Sequence, residues 1–235
     1  MGGALTTIGF DADDTLWHNE RYFALSHDRF AALLAEHSKR DHLMARLLEA
    51  ERRNLPHYGY GIKGFTLSMI ETAIEVTEGK VPAEVISDLL AAGREMLDHP
   101  IELLPHVEDV LETLRGDYRL IVVTKGDLLD QERKLAQSGL RERFDAVEIV
   151  SHKTEAAYRH IFKQHGQGAA RGLMVGNSLA SDVRPMIEAG GWGVYVPHDL
   201  TWAMEHAEPP TNSPRFAEIN DLSGLPETVK KIVSG

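Results

Sequence analysis

At 235 residues with 43% hydrophobic and 26% charged side chains, the chain has enough apolar material for one full globular core or for a core plus a smaller satellite. Its 25 Lys and Arg against 36 Asp and Glu give a formal charge of −11, which repels a nucleic-acid backbone in the absence of a clustered basic run, and no such run occurs. With no cysteine, disulfides and thiolate metal sites are excluded, and no apolar stretch approaches the length of a membrane span.

In chain order, the first predicted element is a strand over Leu5–Phe10. Met1–Phe10 has no basic region followed by an apolar stretch and a small-residue cleavage site, so a soluble, cytoplasmic protein is the expectation. From Trp17 to about Pro100 the pattern is helical without a convincing strand. Phe30, Leu33, Leu34 and His37 share one face; so do Met69, Ile70, Ala73 and Ile74, and then Val85, Ile86, Leu89, Leu90 and Gly93. Gly79 and Pro82 punctuate this region, and Pro56–Gly64 reads as a glycine- and tyrosine-rich break. Four further apolar runs predict strands at Leu120–Thr124, Ala146–Ser151, Gly172–Gly176 and Trp192–Val196, alternating with helical patterns such as Leu128–Ser138 and Asp182–Ala189. Alternation of this kind predicts an α/β fold, a doubly wound parallel sheet covered on both faces. The first strand must pair with strands more than a hundred residues later, so the helical stretch is an insert. Residues 1–16 and 101–235 are expected to form the α/β core and residues 17–100 a helical domain over it.

In an open parallel sheet the ligand site lies beyond the carboxyl ends of the strands. The polar residues found there are Asp11, Asp13, Thr124, Lys153, Asn177 and Asp182. Several acids gathered at one place need a cation, and an all-oxygen donor set suits Mg²⁺ better than a softer metal. Lys153 in turn calls for an anionic ligand.

These residues fall into a known pattern. Phe10-Asp11-Ala12-Asp13-Asp14-Thr15-Leu16 resembles the first motif of the haloacid dehalogenase superfamily, Asp-x-Asp-x-Thr after an apolar strand. Val122-Val123-Thr124-Lys125-Gly126 resembles its second motif, Lys153 its third, and Gly176-Asn177-Ser178-Leu179-Ala180-Ser181-Asp182 its fourth. The helical insert stands where that family carries a C1 cap. The resemblance implies a Rossmann-like core and an aspartyl-phosphate mechanism. Asp11 would be the nucleophile and Asp13 the general acid and then base, its carbonyl facing the metal. Thr124 with the N–H groups of Lys125 and Gly126 would grip phosphate oxygens, and Lys153 would offset the charge shared by Asp11 and phosphate. Asp11, Asp13, Asn177 and Asp182 would gather around Mg²⁺. The family commonly carries Asp where this chain has Asn177, which removes one negative charge and predicts modest metal affinity.

The expected activity is hydrolysis of a small phosphorylated metabolite, with no nucleic-acid polymer or membrane as partner and with the chain a monomer or a homodimer. Phosphomutase and haloacid dehalogenase activity are the alternatives within the superfamily, although Asp13 argues against the latter, since halide needs no proton on leaving. A non-catalytic phospholigand-binding module is the alternative outside enzymology. In the insert, Tyr58, Tyr60, Lys63 and Phe65 lie on the glycine-rich break, and Lys63 is the candidate substrate contact; Trp17 and Glu20 are hinge candidates. The twelve His residues include no His-Glu-x-x-His, His152 and His198 read as surface residues, and neither a Gly-x-Ser-x-Gly elbow nor a phosphate loop occurs.

Overall fold

The computed structural model describes residues 5–234, so Met1–Ala4 of the segment read for a leader lie outside the described residues. The chain divides into two compact units. One contains the residues up to Glu20, Ile101–Lys125 and those from Gln131 onward; the other contains Arg21–Pro100 and Gly126–Asp130.

The first unit is an α/β layer structure. Its strands are β1 (Thr7–Phe10), β2 (Arg119–Lys125), β3 (Ala146–Val150), β4 (Gly172–Gly176), β5 (Trp192–Tyr195) and β6 (Phe216–Glu218). All pair in parallel in the order β3-β2-β1-β4-β5-β6. Five of these follow from the apolar runs. The sixth does not, because Phe216–Glu218 is three residues long with a single large apolar side chain. Side chains alternate across the sheet as the strand period requires. Ile8, Phe10, Leu120, Val122, Leu173 and Val175 pack on one face with α5 (Val107–Leu114) and α9 (Leu225–Ser234). Ile121, Val123 and Met174 pack on the other with Tyr158, Ile161 and Phe162 of α7 (Glu155–His165) and Met186 of α8 (Arg184–Glu188). The chain leaves β1 with β2 and β3 on one side and β4 to β6 on the other. That reversal makes the carboxyl ends of β1 and its neighbours the topological switch point.

The second unit holds α1 (Glu20–Leu33), α2 (Arg40–Tyr58), α3 (Ile62–Val76) and α4 (Ala83–Asp98). Phe30, Leu34, Leu43, Leu47, Phe65, Met69, Ala73, Leu89 and Met96 make its core. Several members of the predicted faces do not join it: Ile74 and Leu90 are exposed, Ile86 is half-buried outside the cluster, and His37 lies exposed beyond the end of α1. The predicted break is also shorter, since Pro56 sits inside α2 and only Gly59–Gly61 separates α2 from α3. Pro56 costs α2 the bond its N–H would have given the Arg52 carbonyl, and the helix ends two residues later. Gly59 and Gly61 have φ of 72° and 106°, a conformation that favours glycine. Among the described residues no helix is long and apolar enough to cross a membrane.

Candidate active site

Asp11 follows β1 directly, and its N–H continues the ladder to the Val175 carbonyl (2.9 Å). The chain then turns sharply, with Leu16 N–H donating to the Ala12 carbonyl (2.8 Å) and Asp14 at φ 59°. Asp14 spends its carboxylate on the N–H groups of Asn19 (2.8 Å) and Glu20 (3.0 Å), capping the start of α1. This tight turn buries Asp11 and carries Asp13 to the other side of the loop.

Lys153 ends the connection after β3, immediately before Thr154, whose hydroxyl caps α7 by accepting from Ala157 N–H (3.2 Å). Its side chain is 1% exposed and its Nζ bonds Asp11 Oδ1 and, at 2.7 Å, Asp182 Oδ1. The buried ammonium is matched by either carboxylate alone, so the cluster carries one uncompensated negative charge. Burial works against the charge on Lys153, but Asp11 and Asp182 outweigh it and raise its pKa above the ordinary lysine range. On Asp11 burial is the largest influence; joined by repulsion from Asp182 and opposed by Lys153, it raises the pKa to about 7. The Lys125 side chain, at the end of β2, points elsewhere, to Ser181 Oγ (2.7 Å) and to Glu205.

The fourth motif is a π turn over Leu179–Val183 followed by α8, not the single helix from Asp182 that the sequence suggests. Asp182 folds back across Gly176. Its Oδ2 accepts from Ser178 N–H (3.0 Å), and a Cβ on residue 176 would lie 2.2 Å from that same oxygen. Each Asp182 oxygen thus takes a hydrogen bond within the protein, and the residue holds Lys153 beside Asp11.

Asn177 faces two acceptors, Asp11 Oδ2 at 3.1 Å and the Asp13 carbonyl at 3.3 Å, so its amide nitrogen is the end that donates to them. Thr15 Oγ1 accepts from Asn177 N–H (3.1 Å) and donates to Asp11 Oδ2 (3.4 Å). Half a turn of the Asn177 amide would put its oxygen beside those two oxygens. Three hard donors around one point are a set that fits Mg²⁺. The set is sparing in charge: among the described residues, no group of three or more His, Cys, Asp or Glu gathers as a metal cluster.

The Asp13 carboxylate points away from this point. It accepts from Trp17 Nε1 (2.7 Å), Gln131 Nε2 (2.9 Å) and Lys134 Nζ (3.0 Å), the last two from α6 (Leu128–Ser138). Burial alone would raise its pKa, but the charge of Lys134 and these hydrogen bonds hold the carboxyl below the usual carboxylate range. Gln131 also accepts from Thr124 Oγ1 (3.2 Å), so one side chain joins Asp13 to the end of β2. Lys134, Gln131 and Glu205 escaped the sequence reading. The first two sit three residues apart on one face of α6, where they read as an ordinary polar face. Glu205 lies in an irregular segment with no periodicity to flag it.

Lys63 pairs with Asp127 inside the helical unit, at 2.9 and 3.0 Å, rather than presenting an unshared charge to a substrate. Gly126, at φ 140°, groups with that unit too. Trp17, a hinge candidate, is 1% exposed and bridges Asp13 and Leu103 within the α/β unit. His152 is exposed as expected; His198 is not, with its side chain 14% exposed and Nε2 3.5 Å from Asp14.

The family model of haloacid dehalogenase-like hydrolases matches residues 5–190. A solved haloacid dehalogenase-like family hydrolase from Xanthomonas campestris is 40% identical, with 99% of this chain and 94% of that one covered and a TM-score of 0.88. A HAD-hydrolase of Bacillus subtilis, YfnB, solved bound to magnesium, shares the fold at 18% identity, with 97% of this chain and 99% of that one covered and a TM-score of 0.67. The pyrimidine 5'-nucleotidase YjjG of Escherichia coli (strain K12) is 30% identical over 93 residues, 37% of this chain; the match spans 41% of that curated relative's length.

Proposed function

This chain belongs to the haloacid dehalogenase-like hydrolases, and from that premise we propose that it is a Mg²⁺-dependent phosphatase of a small phosphorylated metabolite, with Asp11 as nucleophile. The observation that carries the reading is the division of labour between two neighbouring acids. Asp11 is buried with one oxygen on Lys153 and the other beside the Asp13 carbonyl and Asn177. Asp13, two residues on, holds its carboxylate apart on Lys134, Gln131 and Trp17. One acid is placed to attack and the other to move protons.

Asp11 would attack phosphorus in line, forming an aspartyl-phosphate and releasing the alcohol. Asp13, a carboxylate in the free protein, would pass to the leaving oxygen a proton taken up from the phosphate monoanion or from water, and would then take a proton from the water that hydrolyses the intermediate. Thr124 Oγ1 would exchange its bond to Gln131 for a phosphate oxygen, with the Lys125 N–H beside it. Lys153 would balance the charge that Asp11 and phosphate bring together. Mg²⁺, held by Asp11, the Asp13 carbonyl and Asn177, would supply the positive charge that lets a phosphate dianion approach a carboxylate. An acid at position 13 able to relay protons has no task in carbon–halogen cleavage, where halide leaves unprotonated, and this supports phosphate ester over haloalkanoate as substrate. The nucleotidase likeness points to the same ester class.

The test is hydrolysis of an aryl phosphate with Mg²⁺ and with chelator, by wild type and by Asp11→Asn, followed by a panel of sugar phosphates and nucleoside monophosphates and by 2-chloropropionate. Metal-dependent phosphate release absent from Asp11→Asn is expected. Equal rates for the two proteins, or halide release in place of phosphate release, would sink the reading.

A further inference from the structure

Glu205 belongs to none of the four motifs. It sits on a short 3-10 turn, Ala203–Glu205, in the long connection from β5 to β6. Its carboxylate is shared by Lys125 Nζ, Ser178 Oγ and, at 2.6 Å, Ser181 Oγ, while Lys125 Nζ also reaches Ser181 Oγ at 2.7 Å. The Lys125 and Glu205 side chains are only 15% and 14% exposed, so this charge pair has little water to replace its partners. The groups it ties together lie within the catalytic segments. Lys125 directly follows Thr124 in β2, and Ser178 directly follows Asn177. The Ser178 hydroxyl also accepts from Ser181 N–H (2.9 Å), closing the turn that carries Asp182.

We propose that Glu205 is a positioning residue for the anion: by fixing the Lys125 side chain to the turn after β4, it sets the Thr124–Lys125 backbone to receive phosphate oxygens and keeps the Lys125 ammonium out of their place. The inference rests on Thr124 and the Lys125 N–H being the phosphate grip. Its physical content is that two loops fixed by one half-buried ion pair cannot drift independently, so the anion site is organised before ligand arrives. A plain structural bolt would affect every property of the site together. A positioning residue affects anion binding first.

The experiment compares wild type with Glu205→Gln, Lys125→Met and the double variant. The readouts are the inhibition constant of inorganic phosphate, KM and kcat for an aryl phosphate, and Mg²⁺ binding by calorimetry. Glu205→Gln keeps the size of the side chain and an acceptor for a serine hydroxyl but loses the charge. We expect the phosphate inhibition constant and KM to rise roughly tenfold, the scale of one lost charge-assisted bond, with kcat within about twofold. Mg²⁺ affinity should stay unchanged, and the double variant should be no worse than the worse single one. Should Glu205→Gln fail to fold, the charge-free double variant carries the same expectation for phosphate and KM.

Tighter phosphate binding in Glu205→Gln that disappears in the double variant would overturn the proposal, because Lys125 would then be a restrained ligand. So would a parallel fall in kcat, Mg²⁺ affinity and melting temperature with phosphate inhibition unchanged. If wild type is no more active than Asp11→Asn, the phosphatase reading itself fails and takes this proposal with it. Failure of the proposal alone leaves that difference intact.

Discussion

Asn177 sets how much negative charge the site holds before a ligand arrives. Its amide donates to Asp11 Oδ2 and to the Asp13 carbonyl, the two oxygens that a cation would otherwise join. Asn177→Asp would turn two attractive contacts into repulsive ones, costing the metal-free protein about 1–3 kcal/mol. The same change adds a hard anionic ligand and should tighten Mg²⁺ binding at least about tenfold. Urea melts in chelator and calorimetric Mg²⁺ titrations check the two halves, and a variant more stable without metal would show that the amide is not holding those oxygens. Lys153 makes the complementary case. Lys153→Met would strand Asp11 and Asp182 in a buried site, a loss of about 3–5 kcal/mol in urea unfolding. Adding Asp182→Asn should recover much of that stability and none of the hydrolysis. Restored hydrolysis would show that charge balance, rather than this ammonium, is what the reaction needs.

The elements that place these residues differ in how plainly the sequence announced them. β1, β2, β4 and β5 are legible as apolar runs because buried parallel strands need apolar side chains on both faces. The π turn at Leu179–Val183 is not, since its shape follows from Asp182 reaching back over Gly176 rather than from any local periodicity. Gly176→Ala tests that account. The added methyl would meet Asp182 Oδ2 at 2.2 Å and Cγ at 2.4 Å, and Asp182 cannot move without releasing Lys153 and Ser178 N–H. A loss of about 2 kcal/mol or more, together with most activity, is expected; an alanine variant with normal stability would mean that the turn has slack. In the helical unit, α1 offers a pH test. Burial and then Arg40 hold the pKa of His27 below its ordinary value, with Asp28 opposing, while its ring packs edge-on to Phe65 at 5.3 Å. A histidine depressed in the folded state leaves stability whole above its unfolded pKa of about 6.5 and lowers it as pH falls through the folded value. His27→Gln, which cannot take up a proton, should flatten the acid side of the stability profile of this unit. An unchanged slope would assign the acid sensitivity to other groups.

At the scale of the whole molecule, the sequence disclosed the α/β class, the insertion and the motif residues, because strand runs and motif spacing are local signals. The partners that complete the site were hidden because they are not local. Lys134 meets Asp13 and Glu205 meets Lys125 only after the sheet has brought distant segments together. The α/β unit draws its buried clusters from residues before Glu20 and after Ile101, and the helical unit has a cluster of its own. The two ends of the insert also run side by side, with His18 N–H donating to the Glu102 carbonyl (3.0 Å) and Trp17 bridged to Leu103. Replacing residues 21–100 by a short Gly/Ser linker should therefore leave the sheet foldable, because closing the shorter loop saves about 0.6 kcal/mol of chain entropy for each halving. The shortened protein is expected to unfold cooperatively in urea and to be stabilised by Mg²⁺. The first turn of α6 should fray in hydrogen exchange, since Gly126–Asp130 group with the helical unit and Asp127 loses Lys63. Unfolding without a cooperative transition would mean that the parallel sheet depends on the helices inserted into its sequence.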